Sequence, residues 1–111
     1  MSKYPKRGEI FWVNLDPTVG SEITKNRPCV IISNNAGNQT SSRVIVAPIT
    51  SSVKRIFSFE VPIEIKGKKG KILLDQIRAI DKVRISNKIE SCDDDIMDAI
   101  EDALKIVLAF N

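Results

Sequence analysis

The chain reads as a mainly β protein, a small barrel closed by one C-terminal helix. Three observations predict this. Most of residues 9–81 falls into short runs rich in β-branched residues, separated by turns. One run, residues 57–65, alternates strictly between apolar and polar positions. Only the end of the chain carries apolar residues at helical spacing. Many short strands joined by turns build a barrel, and a single helix can cap it.

The elements follow in order. In residues 9–16, Ile10 and Trp12 alternate with Phe11, Val13 and Leu15, so both sides are apolar and the strand is covered on both faces. Residues 28–33 form a second apolar strand. Residues 43–50 form a third, with Val44 and Val46 on one face and Ile45, Ala47 and Ile49 on the other. In residues 57–65, Phe57, Phe59, Val61, Ile63 and Ile65 face inward, and Ser58, Glu60, Pro62 and Glu64 face water. Pro62 cannot donate to a ladder, which places this strand at an edge or a bulge. A basic turn over residues 66–70 leads to a strand at 71–74, and residues 76–81 form another. Ser91 and Asp94 have capping-box spacing for the final helix, although Asp stands where Glu or Gln is usual. Asp93, Asp94 and Asp95 suit the positive end of its dipole. Ile96, Ala99, Ile100, Ala103, Leu104, Val107 and Leu108 make one apolar stripe, read as core. Open strand edges invite pairing, and pairing across a symmetric homodimer protects them.

With 111 residues there is room for one domain, 1–111, and for a modest core without disulfides or metals. An apolar share of 42% argues against disorder. No run approaches the roughly 18 apolar residues of a membrane span. The charged N-terminus has no apolar stretch after it, so it is not read as a signal peptide. The expected location is the cytoplasm, with no membrane association. Cys29 and Cys92 lack metal-ligand spacing, and no histidine occurs, so no metal or other cofactor is expected and both thiols read as reduced and structural. The net charge of +3 conceals an asymmetry. Residues 1–89 hold 16 Lys and Arg against 7 Asp and Glu, a net of +9, while residues 90–111 hold Lys105 against seven acids, a net of −6. A basic body attracts phosphate backbones or acidic partners. The acidic segment either sits away from the binding face or is simply a solvated helix face.

Five stretches, in chain order, carry a family signature. Arg7-Gly8-Glu9-Ile10-Phe11-Trp12-Val13-Asn14-Leu15-Asp16-Pro17 resembles the opening strand of the MazF/PemK toxins. Gly20-Ser21-Glu22 and Arg27-Pro28-Cys29-Val30-Ile31-Ile32-Ser33 resemble the next loop and strand of that family. Val46-Ala47-Pro48-Ile49-Thr50 is similar to its threonine-ended strand, and Leu74-Asp75-Gln76-Ile77-Arg78-Ala79-Ile80-Asp81 to its late strand. The resemblance implies an SH3-like barrel of the CcdB/PemK type, a homodimer, and a single endoribonuclease toxin domain. It implies metal-independent cleavage of single-stranded RNA that leaves a 2′,3′-cyclic phosphate and a 5′-hydroxyl. It also implies control by a cognate antitoxin, which charge predicts to be acidic. Many relatives carry a glycine pair between the Glu and the Arg, where this chain has Ile23-Thr24-Lys25-Asn26.

Attack of a ribose 2′-hydroxyl on phosphorus builds negative charge on the equatorial oxygens and moves two protons. Histidine, the usual proton carrier, is absent, so a two-histidine mechanism is excluded. Arg27 offers a planar fork of donors, and Pro28 biases it toward an extended backbone at a strand start. Thr50 ends an apolar strand and can place a hydroxyl beside a phosphate oxygen. By resemblance, Arg27 and Thr50 match the catalytic pair of the family. Guanidinium keeps its proton, so the role assigned to Arg27 is transition-state stabilisation, with proton delivery to the leaving oxygen as an addition. Glu22 is the candidate for general base or for orienting Arg27. Candidate RNA-binding residues are Ser21, Lys25, Asn34, Lys54, Gln76 and Arg78. Arg55, Lys66, Lys68, Lys69 and Lys71 add phosphate-tracking charge. Trp12 and Phe57 are read as core rather than as base-stacking residues. Two other readings stay open on residues alone: a non-enzymatic CcdB-like toxin that binds gyrase, and a plain RNA-binding module.

Overall fold

The computed structural model describes residues 3–17, 19–22 and 25–110. Among the described residues, seven strands and two α-helices follow in the order β1 (Glu9–Asn14), β2 (Asn26–Ile31), α1 (Asn35–Thr40), β3 (Arg43–Thr50), β4 (Glu60–Ile65), β5 (Lys68–Leu73), β6 (Arg78–Asp81), β7 (Ile85–Ser91) and α2 (Asp94–Leu108). All strand pairings are antiparallel, in the order β4-β5-β3-β2-β1-β7, with β6 also on β3. The two ends of the path, β4 and β7, do not pair with each other, so the sheet is a half-barrel rather than a closed one.

The apolar patterning decides how this sheet is covered. Ile10, Val30, Ala47, Ile49, Val61, Ile63, Ile72 and Leu74 form one buried cluster with Ile100 and Ala103 of α2. Val13, Leu15, Cys29, Ile31, Val44, Val46 and Ile80 form a second. The central strands are therefore covered on both sides, as the alternation of β1 and β3 predicts. Each fully buried Ile, Val or Leu contributes on the order of 1.5–3 kcal/mol. The helix is tied to the sheet by Arg7, whose Nε donates to Ile32 O at 3.2 Å and whose guanidinium pairs with Glu101 at 3.3 Å.

Several sequence expectations need correction. The strand predicted over 57–65 begins only at Glu60, because the Phe57 N–H and carbonyl are taken by Glu60 in a turn. The basic turn is shorter than 66–70. Lys66 (φ 51°) and Gly67 (φ 80°) alone reverse the chain, and Lys68 already pairs with Ile65. Two positive-φ central residues match the twist of the flanking strands. Strand β6 begins at Arg78, after a 3₁₀ turn over Leu74–Gln76. The cap of α2 is Asp93, which accepts the Ile96 N–H at 2.9 Å, and not Ser91, which belongs to β7. Leu108 ends the apolar stripe exposed. Strand β7 and helix α1 went unread. β7 has only Ile85 and Ile89 as apolar residues, and α1, Asn35–Thr40, has Ala36 alone. Pro62 does lie on an edge strand, β4.

Candidate active site

Strands β2 and β3 run antiparallel with Cys29 opposite Pro48 and Val30 opposite Ala47. That ladder ends at Cys29–Pro48, beyond which Arg27 stands near the start of β2 and Thr50 at the end of β3. Both line a cavity of about 420 Å³, together with Trp12, Asn26, Pro28, Ser51, Lys66, Lys68, Lys69 and Gly70. Ile49, Ile65 and Ile89 supply its apolar wall. Its described lining holds four cationic side chains, two hydroxyls and no carboxylate. Such a cavity favours an anion and offers donors to its oxygens. The Thr50 hydroxyl oxygen accepts the Ser52 N–H at 3.3 Å, which turns it toward the segment leaving β3. Lys66, Lys68 and Lys69 arrive through the β4–β5 hairpin.

Trp12 is not a core residue. It pairs with Pro28 in the β1–β2 register and keeps 42% of its surface exposed, in the wall of the cavity. Phe57, likewise expected in the core, is 41% exposed. Its ring is engaged by Phe59, stacked at 5.4 Å, and by the Arg55 guanidinium at 4.8 Å. Asn26, Ser51 and Gly70 were missed as cavity residues. Adjacency to Arg27 and Thr50 was a signal for the first two, and none existed for Gly70.

A second cavity, of about 280 Å³, gathers Ser21, Glu22, Gln76 and Arg78 with Asp75 and Ile77. Glu22 is therefore brought to Gln76 and Arg78, and it is absent from the described lining of the Arg27 cavity. Its carboxylate accepts the Val19 N–H at 2.7 Å, closing a turn. Arg78 donates to Leu15 O at 3.1 Å, which anchors β6 to the end of β1. Burial pushes the Cys29 thiol up to about 12, against the opposing fields of Arg78 and Arg27.

The remaining candidates lie elsewhere. Lys25 is exposed at φ 70°, its N–H held by Asp16 Oδ1 at 3.0 Å and its carbonyl by the Leu15 N–H at 3.2 Å. Ile23 and Thr24, part of the gap where relatives carry glycines, lie outside the described residues. Asn34 caps α1, accepting the Gly37 N–H at 2.8 Å, and lines neither cavity. Lys54 is exposed on the segment between β3 and β4, away from both linings.

Comparisons with known proteins agree with this fold. A family model described as "PemK-like, MazF-like toxin of type II toxin-antitoxin system" matches residues 6–108. The endoribonuclease EndoA of Bacillus subtilis (strain 168) is 41% identical over 110 residues, covering 94% of each chain. The crystal structure of MazF from Deinococcus radiodurans superposes with a TM-score of 0.87 at 26% identity, covering 97% of this chain and 99% of that one. An endoribonuclease from a mycobacterial species, solved in complex with its cognate antitoxin, gives a TM-score of 0.81 at 22% identity over 96% and 97% of the chains.

Proposed function

Since the chain belongs to the PemK-like, MazF-like family of type II toxins, we propose that its Arg27 cavity cleaves single-stranded RNA and that residues 1–111 act as one endoribonuclease toxin domain. The observation that carries this reading is that Arg27 and Thr50 line one cavity whose described lining is cationic and free of carboxylates. The scissile phosphate sits there. The ribose 2′-hydroxyl gives its proton to water as it attacks phosphorus, the P–O5′ bond breaks as the departing O5′ takes a proton from water, and a 2′,3′-cyclic phosphate and a 5′-hydroxyl result. Arg27 binds the non-bridging oxygens and stabilises the charge that grows on them, and Thr50 donates its hydroxyl to one of them. Lys66, Lys68 and Lys69 hold the flanking backbone. No metal enters the step.

The second cavity reads bases. Gln76 offers an amide edge, Arg78 a cation and Ser21 a hydroxyl. In this reading Glu22 is placed with these base-reading residues, where it can accept from a base amine, and not as the general base beside Arg27. Lys25, Lys54 and Asn34 contribute at most peripheral contacts.

Two partners follow. The unpaired edges β4 and β7, with Trp12, Ile106, Leu108 and Phe110 exposed by 42–53%, favour a homodimer. An acidic antitoxin fits the basic body, and a solved relative carries its cognate antitoxin. Cytoplasmic action accords with this function, and among the described residues no helix is long and apolar enough to cross a membrane. The test is incubation of the pure protein with a long RNA in EDTA. Discrete fragments ending in a cyclic phosphate are expected. Intact, bound RNA would instead indicate a binding module, and gyrase inhibition without cleavage a poison of the CcdB type.

A further inference from the structure

The chain leaves Thr50 through residues 51–59, which contain no strand or helix before β4 begins. Its anchors converge on one ion pair. Lys71 Nζ donates to Arg55 O at 2.6 Å and to Glu60 Oε1 at 2.8 Å. The same Glu60 oxygen accepts the Phe57 N–H at 2.9 Å. Both charged side chains are nearly buried, with exposures of 11% and 7%, so Lys71 is committed to this ion pair and does not track phosphate as its place in a basic segment predicts. The side chains of the segment add to this clamp, since Arg55 lies over Phe57 and Phe57 stacks on Phe59.

The clamp is registered on Thr50. Lys71 is the cross-strand partner of Thr50 in the β3–β5 ladder. Its neighbour Gly70 comes so close that a Cβ there would stand 2.7 Å from the Thr50 carbonyl oxygen. At the other end of the clamped segment, the Ser52 N–H donates to the Thr50 hydroxyl. A buried ion pair adds little net stability, because desolvation offsets its attraction. A pair of apolar side chains would bury similar area without grasping the backbone at Arg55 and Phe57. The directional bonds of Lys71 and Glu60 supply what packing alone does not, a fixed path for residues 51–59.

We propose that Lys71 and Glu60 are positioning residues for the reaction: their buried pair clamps residues 51–59 and so sets the place and rotamer of the Thr50 hydroxyl at the cavity. The inference rests on the assignment of Thr50 to phosphate chemistry. A misplacement of a reacting group by about 1 Å can cost up to ~10²-fold in rate, so a loosened clamp should be read in the chemical step rather than in RNA affinity.

The test is a double-mutant cycle on single-turnover cleavage at saturating RNA, comparing wild type, Lys71→Met, Thr50→Ala and the double variant, with thermal unfolding run alongside. Lys71→Met is expected to slow cleavage roughly tenfold at unchanged RNA affinity. Lys71→Arg, which keeps charge and donors, should restore most of the rate. In the Thr50→Ala background, Lys71→Met should change the rate by less than about twofold, because coupled residues are non-additive. An equal loss in both backgrounds, or a wild-type rate for Lys71→Met, overturns the clamp and leaves the Thr50 assignment standing. A wild-type rate for Thr50→Ala overturns that assignment and the clamp with it. Should Lys71→Met fail to fold, Glu60→Met, which removes the acceptor shared by Lys71 and the Phe57 N–H, takes its place in the cycle with the same expectations.

Discussion

Arg27 is the second residue of β2 and Thr50 the last of β3, so the chemistry proposed for them depends on strand ends rather than on a contiguous motif. Local signals alone did not single them out, because an arginine before a proline is usually a surface cation and a threonine ending an apolar run is usually a turn residue; the family resemblance joined them. Trp12 was not legible, because an aromatic in a two-sided apolar strand has the same pattern whether its face meets the core or a cavity. Replacing Arg27 or Thr50 by Ala should cut single-turnover cleavage by ~10²–10³, with the fold intact by circular dichroism. Wild-type cleavage by Arg27→Ala would remove the cavity from the mechanism. Cys29 makes a separate prediction. Its thiol is fully buried, and burial raises its pKa from an ordinary 9.0 to about 12. The native protein therefore keeps a proton that the unfolded chain releases above pH 9. The contribution of Cys29 to stability is complete below pH 9 and is lost as pH rises toward 12. Urea midpoints measured across that range should fall more steeply for wild type than for Cys29→Ala, and Cys29 should resist alkylation in the native state at pH 8.

Helix α2 illustrates what an element's pattern discloses and what it conceals. Its apolar stripe announced the face that packs on the half-barrel, and Ile100 and Ala103 are buried there. The cap was misread by two residues because Ser91 and Asp93 both precede acids, and only the pairing of Ser91 with Glu9 in β7 decides between them. β7 itself was illegible, since Ile85 and Ile89 are its only apolar residues and Asn87 between them interrupts any period of two. The two ends of α2 can be tested in opposite directions. Asp93→Ala removes the acceptor of the Ile96 N–H and should cost ~1 kcal/mol. At the C-terminal end Ala109 adopts φ 57°, while the Phe110 N–H bonds Lys105 O at 3.1 Å. Glycine takes that conformation without a Cβ penalty, so Ala109→Gly should gain roughly 0.5–1 kcal/mol. Both shifts can be read from thermal unfolding, and a loss on Ala109→Gly would contradict the left-handed cap.

Across the whole molecule, charge is segregated in sequence and in space. The acids of α2 at Asp94, Asp95, Asp98, Glu101 and Asp102 are exposed on the helix, while Arg27, Lys66, Lys68 and Lys69 surround the cavity on the sheet. On the proposed reading, this arrangement predicts that RNA and antitoxin compete. Three lysines that track a single strand release counterions, so the triple change of Lys66, Lys68 and Lys69 to Ala should flatten the log–log salt dependence of RNA binding by about 2. An inhibitor of the same cavity must answer the same charges. The docking segment of the antitoxin should therefore be acidic and disordered until bound, and its capture should slow as salt screens the approach. Because both ligands need the hairpin lysines, the triple variant should weaken the acidic segment and the RNA together, whereas changes confined to Gln76 and Arg78 should weaken RNA alone. A fluorescent RNA displaced by the isolated acidic segment, with less displacement at high salt, is the expected result. If RNA and segment occupied each site together without mutual loss of affinity, the cationic cavity would not be the surface on which the toxin is neutralised.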